Sequence, residues 1–230
     1  MDFPATSNLI ALPEPDKLKN LCKSIAVLDA IISPDWEYRY FSYNADWDEG
    51  EELASMRDGQ GDEYQILFNR HGAIINGFAH ESEMNGWLET DKGTIQKVWP
   101  GVLEDVPAEF HNFINTEPIP SVGTTFCIWR KHDMATWQTG KILFPQDDYG
   151  DGSEDLLFML NNNPETYKSW AEEYYDENFE SGGIPIDVVK YIYDGLPVSR
   201  EVVLQINPGF KDFSQLKEEL NQIRYPFSDL

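Results

Sequence analysis

With 230 residues, 41% of them hydrophobic and 13% aromatic, the chain has ample material for a packed core, which excludes wholesale disorder. Its 17 Lys and Arg against 41 Asp and Glu leave a formal charge of −24, which repels phosphate backbones and anionic membrane surfaces, so neither nucleic acid nor a membrane is expected as a partner. Cys22 and Cys127 are the only cysteines, too few for a disulfide framework or a thiolate-rich zinc site.

The N-terminal stretch MDFPATSNLIALPEPDKLKN has no basic start followed by an apolar core, and no run approaches the ~20 apolar residues of a membrane span. A soluble, cytoplasmic protein is the expectation. Pro13 to Asp16 gives a helix-start signal, and Leu18, Leu21, Ile25, Leu28 and Ile32 recur at helical spacing before Pro34. Cys22 lies one residue off that stripe and reads as a small buried apolar group.

From Trp36 to His80 the chain offers strand-like runs at Trp36 to Asn44, Leu53 to Arg57, Tyr64 to Phe68 and Ala73 to Ala79. The turn signals between them contain Gly, Asn and Asp, which tolerate the positive φ that hairpins require. An antiparallel meander is predicted. Glu81 to Pro100 reads as a long connection, and Val102 to Ile114 as a short helix starting near Pro107. Thr124 to Arg130 and Thr136 to Phe144 supply two further strands. Beyond Pro145, helices are predicted at Asp155 to Leu160, Pro164 to Tyr175, Pro185 to Tyr193, Arg200 to Ile206 and Phe213 to Ile223, with Ser199 and Asp212 as N-caps. The expected fold is a single α+β domain over 1–230. It comprises an N-terminal helix (1–35), a β-rich part (36–144) with a mostly antiparallel sheet of roughly five to seven strands, and a helical part (145–230).

The histidines His71, His80, His111 and His132 show no metal-ligand spacing, and no nucleophile elbow, phosphate loop or dinucleotide fingerprint is present. No metal or other cofactor is expected. The acidic loop Gln146 to Asp155 fails the calcium-loop pattern: with Asp147 as first ligand, Tyr149 and Phe158 fall where oxygen ligands belong. It reads instead as a turn and helix cap, with Asp151 or Ser153 accepting from first-turn amides.

Acidic density carries the functional expectation. Between Gln146 and Glu180 there are eleven carboxylates against the single Lys168, interleaved with Tyr149, Tyr167, Trp170, Tyr174 and Tyr175. Asp147, Asp148, Asp151, Glu172, Glu173, Asp176 and Glu177 are the candidate partner-binding residues, on a face suited to a basic protein. A second acidic cluster runs through the turns of the meander, from Asp46 to Glu63. The stripe Tyr167, Trp170, Ala171 and Tyr174 reads as core. The alternative is an enzyme with a site near the sheet ends, its candidate catalytic groups being His80, Glu81, Cys127 and Arg130. Arg39 and Arg130 read as structural ion-pair residues.

The runs YRYFSYNADWDEGEELASMRDGQGDEY, GFAHES, VPAEFHNFI, FCIW and Trp170-Ala171-Glu172-Glu173-Tyr174-Tyr175 resemble a bacterial family with no established activity, over most of 36–226. Val106-Pro107-Ala108-Glu109-Phe110 also resembles the Leu-Pro-x-x-Tyr motif of the SUKH superfamily, many of whose members are immunity proteins against secreted toxins. The motif here follows four predicted strands instead of preceding the sheet, and the resemblance assigns no binding residue. It implies an immunity-type antitoxin as one form of the protein-binding expectation.

Overall fold

The computed structural model describes residues 3–90, 93–145, 150–176 and 183–230, those from 87 to 96 by their backbone alone. The helices and strands, in chain order, are α1 (Pro15–Ile32), β1 (Phe41–Asp48), β2 (Glu51–Arg57), β3 (Glu63–Asn69), β4 (Gly72–Phe78), β5 (Trp87–Thr90), β6 (Gly93–Gln96), α2 (His111–Ile114), α3 (Ile119–Val122), β7 (Phe126–Lys131), β8 (Gln138–Thr139), α4 (Ser153–Leu156), α5 (Pro164–Tyr174), α6 (Ile186–Tyr193), α7 (Arg200–Ile206) and α8 (Phe213–Ile223). The fold is α+β, with a six-stranded antiparallel sheet ordered β1-β2-β3-β4-β7-β8 and a separate β5-β6 pair. No helix among the described residues is long and apolar enough to cross a membrane.

The chain divides into two compact units, one of residues 1–15 and 55–161 and the other of 16–54 and 162–230. The first, called here the sheet unit, holds β3, β4, β7 and β8. The second, the helical unit, holds α1, β1 and α5 to α8.

In the sheet unit, β4 is buried along its whole length and pairs with β3 on one side and β7 on the other, Ile75 opposite Ile66 and Ile128. A strand buried on both faces calls for a continuous apolar run instead of alternation, which is how Ala73 to Ile75 and Ile66 to Phe68 read. Gly77 lies opposite Phe126, whose fully buried ring occupies the space where a Gly77 side chain would stand. Asn76, also fully buried, donates to the Gly123 carbonyl (3.1 Å) and accepts from the Thr124 hydroxyl (2.8 Å), so its amide is satisfied inside the sheet.

In the helical unit, α1 is buried on every side from Ser24 to Ile32. Polar groups on such a helix must find partners within the protein. Ser24 accordingly donates to the Ile192 carbonyl at the end of α6 (2.9 Å). The α8 face Leu216, Leu220 and Ile223 is buried, and β1 alternates, with Phe41, Tyr43 and Ala45 inward. Ser199 and Asp212 cap α7 and α8 by accepting from Val202 N (3.4 Å) and Gln215 N (2.9 Å), as their position before the helical pattern predicts.

Four expectations are corrected in detail. Trp36 to Tyr38 form a 3-10 turn, so the first strand starts only at Phe41. The predicted connection from Glu81 to Pro100 contains the β5-β6 hairpin, whose four-residue strands fall below the length at which alternation is recognisable. The strand expected over Thr136 to Phe144 is reduced to Gln138–Thr139. Gly140 packs against the Gly101 carbonyl, and the next residues run beside 99–101, Leu143 N donating to Pro100 O (3.3 Å) and the Trp99 indole to Leu143 O (2.6 Å). The helix expected over Asp155 to Leu160 is split into α4 and a 3-10 turn at Phe158–Asn161.

Because Phe126 fills the space over Gly77, Gly77→Ala should destabilise the fold by about 1–3 kcal/mol through overpacking. Gly150 has open space around it, and Gly150→Ala should stay within about 0.5 kcal/mol. Urea unfolding of both variants measures the contrast.

Candidate functional site

The helical unit is built around Asp29, a carboxylate on α1 with no exposure to solvent. Its Oδ1 accepts from the Tyr167 hydroxyl (2.6 Å), and its Oδ2 from the Tyr175 hydroxyl (3.0 Å), Phe41 N (2.8 Å) and Tyr40 N (3.2 Å). Burial pushes its pKa from 3.8 up to about 6, although each of the four donors favours the charged form. Burial likewise raises the pKa of the Tyr167 and Tyr175 hydroxyls, with the Asp29 charge adding to the effect, so both remain donors.

These bonds fix the last turn of α1, α5 with the residue after it, and the start of β1 to one another. Tyr40, Phe41, Trp170, Tyr174 and Tyr175 then form an aromatic cluster in which Trp170 and Tyr174 stack at 5.1 Å with 17° between their planes. Arg39, 6% exposed, donates to the carbonyls of Ser33 (2.8 Å) and Pro34 (2.6 Å) and holds Glu219 of α8 through both terminal nitrogens. It is the structural ion-pair residue its scarcity suggests.

Beside this framework lies a cleft of about 520 Å³ lined by Ile32, Ser33, Pro34, Asp35, Tyr38, Tyr174, Tyr175 and Asp176. Tyr38 and Tyr174 are 66% and 43% exposed, and Trp36 nearby in sequence is 58% exposed. Among the described residues the lining contains two carboxylates and no Lys, Arg or His. Exposed aromatic rings beside carboxylates combine apolar contact area with attraction for cations.

In the sheet unit a second cleft, of about 470 Å³, is lined by Thr6, Asp62, Glu81, Ser82, Asp151 and Ser153 among others. The Thr125 hydroxyl donates to the Asp151 carbonyl (2.7 Å) and accepts from Ala79 N (3.1 Å), pinning this loop to the end of β4. His80 Nδ1 is 2.7 Å from Asp62 Oδ1, and its Nε2 is 3.9 Å from Glu81. The hydrogen bond with Asp62 raises the histidine pKa.

The candidate residues are thereby redistributed. Glu173 and Asp176 are exposed on the helical unit, Asp176 in the first cleft. Glu172 is half-buried, paired with Lys168 and accepting from Ile184 N (2.7 Å). Asp151 is not available to a protein surface: it is 3% exposed, and its carboxylate accepts from the Thr6 hydroxyl (2.6 Å) and Ser153 N (2.9 Å). Asp147, Asp148 and Glu177 lie outside the described residues. Of the four catalytic candidates, Glu81 lines the second cleft, and His80, its neighbour in the chain, is bonded to the lining residue Asp62. Cys127 is fully buried in β7, and desolvation pushes its thiol pKa up, which suppresses the thiolate that nucleophilic chemistry needs. Arg130 pairs in register with Ala73 at the opposite end of β4, roughly 20 Å from His80 along the strand, and donates to Met134 O (3.2 Å). The four do not form one site.

Among the described residues no group of three or more His, Cys, Asp or Glu is placed to hold a metal ion. No protein family, no curated protein and no solved structure matches this chain. Residue periodicity missed the Asp29 centre because its partners are distant in sequence; the one available signal was an acidic residue one position from Leu28 in an otherwise apolar stretch.

Asp29→Ala would leave the buried Tyr167 and Tyr175 hydroxyls and Phe41 N without their acceptor, Tyr40 N keeping the Tyr175 hydroxyl (3.3 Å), and should cost on the order of 3–5 kcal/mol. A group with a raised folded-state pKa contributes stability fully below its unfolded value and loses that contribution as pH rises through the folded value. For Asp29 this window runs from 3.8 to about 6. Across it, the unfolding midpoint of Asp29→Asn should gain relative to that of the unmodified protein; a constant difference contradicts a burial cost on the charge.

Proposed function

We propose that the protein is a binding module for a basic protein partner. The observation that carries this is the solvent-facing group of aromatic and acidic side chains on the helical unit: Tyr38 and Tyr174 in the cleft wall, Asp35 and Asp176 beside them, and no cationic side chain among the described residues of the lining. Exposed aromatic residues serve as anchors in protein interfaces, and carboxylates around them steer a partner of opposite charge. A net charge of −24 acts in the same direction at longer range. An immunity-type antitoxin is the finer form of this proposal, and its support is the Val106 to Phe110 resemblance. A cytoplasmic location accords with it.

Steered association between exposed charges is screened over ~8 Å at physiological ionic strength, so the association rate should fall steeply with added salt. Replacing Asp35, Glu173 and Asp176 with Lys should slow association further while leaving the melting temperature nearly unchanged, since these side chains are mostly at the surface. Surface plasmon resonance with a basic partner purified from the native host measures both effects. Association insensitive to salt and to charge reversal rejects the module.

A second proposal is an enzyme using His80 as general base, favoured by the Asp62 bond to Nδ1 beside the sheet-unit cleft. Turnover of an ester or phosphoester probe should then fall about 100-fold or more in His80→Ala and be reduced in Asp62→Asn. Turnover unchanged by His80→Ala rejects it.

A further inference from the structure

We propose that the helical-unit cleft is a receptor for the guanidinium of an arginine side chain presented by a basic protein partner; this rests on the protein-binding proposal above and names what its cleft takes. The two walls are helix ends of the same polarity. Ile32 is the last residue of α1, followed in the lining by Ser33 and Pro34, and Tyr174 is the last residue of α5, followed by Tyr175 and Asp176. The carbonyls that close α1 are already engaged, Ile31 O by the Asn207 amide (3.0 Å) and Ser33 O and Pro34 O by Arg39, so the negative charge offered at the cleft is that of side chains. Asp35 after α1 and Asp176 after α5 supply it from the two walls. Side-chain charge and aromatic walls therefore select the same ligand charge.

Shape then selects the kind of cation. The Tyr175 ring is held through its hydroxyl to Asp29, and Tyr174 is stacked on Trp170, so these walls are set before any ligand arrives. A planar guanidinium can lie against a tyrosine ring while its edge donates to carboxylates or carbonyls, whereas an ammonium offers neither the plane nor the fork. The same bend already holds one guanidinium: Arg39 lies on the carbonyls of Ser33 and Pro34, its charge cancelled by Glu219. That internal pair leaves Asp35 and Asp176 without a cation beside them among the described residues of the lining. A volume of about 520 Å³ is within the ~300–1,000 Å³ range of ligand sites and admits a long side chain.

The test is a titration of the full chain with capped Gly-Arg-Gly, Gly-Lys-Gly and Gly-citrulline-Gly peptides, followed by backbone amide NMR. The arginine peptide should shift the amides of Asp35, Tyr38, Tyr174 and Asp176, bind more tightly than the lysine peptide, and leave the neutral citrulline peptide without effect. Asp35→Asn and Tyr38→Ala, both at exposed side chains, should each weaken it by about tenfold with the melting temperature retained. Shifts spread over other acidic surfaces, equal binding of lysine or citrulline, or unchanged affinity in both variants overturns the assignment. The same variants are assayed with the purified basic partner. Salt-dependent association that survives both variants removes the cleft from the interface and leaves the module standing. Arginine-peptide binding at the cleft without any salt-dependent protein association overturns the partner and leaves a cation site.

Discussion

A carboxylate removed from water must be met by donors or it forces the surrounding structure apart. Asp29 is met by four, drawn from α5, from the residue after it, and from the start of β1. Because two donors come from α5 and the residue after it and two from the start of β1, the helical unit satisfies this one side chain only when α1, α5 and β1 are in register together. The consequence extends outward. Tyr175 turns its ring toward the cleft because its hydroxyl is tied to Asp29, and Tyr174, one residue earlier, stacks against Trp170.

Charge does different work at different depths. The Arg39–Glu219 pair is held by backbone carbonyls and largely withdrawn from solvent, so it fixes the bend after α1 to α8. Lys141 with Glu104 and Asp105 is mostly exposed and contributes little to stability. Glu52, between Lys19 and Lys23 and bonded by the Tyr43 hydroxyl (2.7 Å), is intermediate. An acidic composition therefore does not make each carboxylate a binding group. On the helical unit, Asp35 and Asp176 are exposed and line a cavity.

In the sheet unit, the end of β4 organises the local chemistry. Thr125 joins Ala79 to the Asp151 loop, Ser82 donates to Gly150 O (3.1 Å), and His80 N donates to Asp62 (2.8 Å). This makes Asp151, which looks in the sequence like part of an acidic surface, a buried support. It also leaves His80 oriented by Asp62, a lining residue of the second cleft.

What the sequence by itself determined is what depends on neighbours a few residues apart. The spacing of Leu18, Leu21, Ile25, Leu28 and Ile32 specified α1, Ser199 and Asp212 marked the starts of α7 and α8, and strand-like runs between turn residues placed β2, β3, β4 and β7. The α+β class with a largely antiparallel sheet follows from those signals. Only the tertiary structure decided which polar residues are spent inside. Asp29 and Tyr167 are separated by 138 positions, Thr6 and Asp151 by 145, and Arg39 and Glu219 by 180. Periodicity reports which way a side chain points within its own element but carries no record of what stands opposite it. For that reason Asp151 and Glu173 look alike in sequence, although the first is buried under Thr6 and the second faces water.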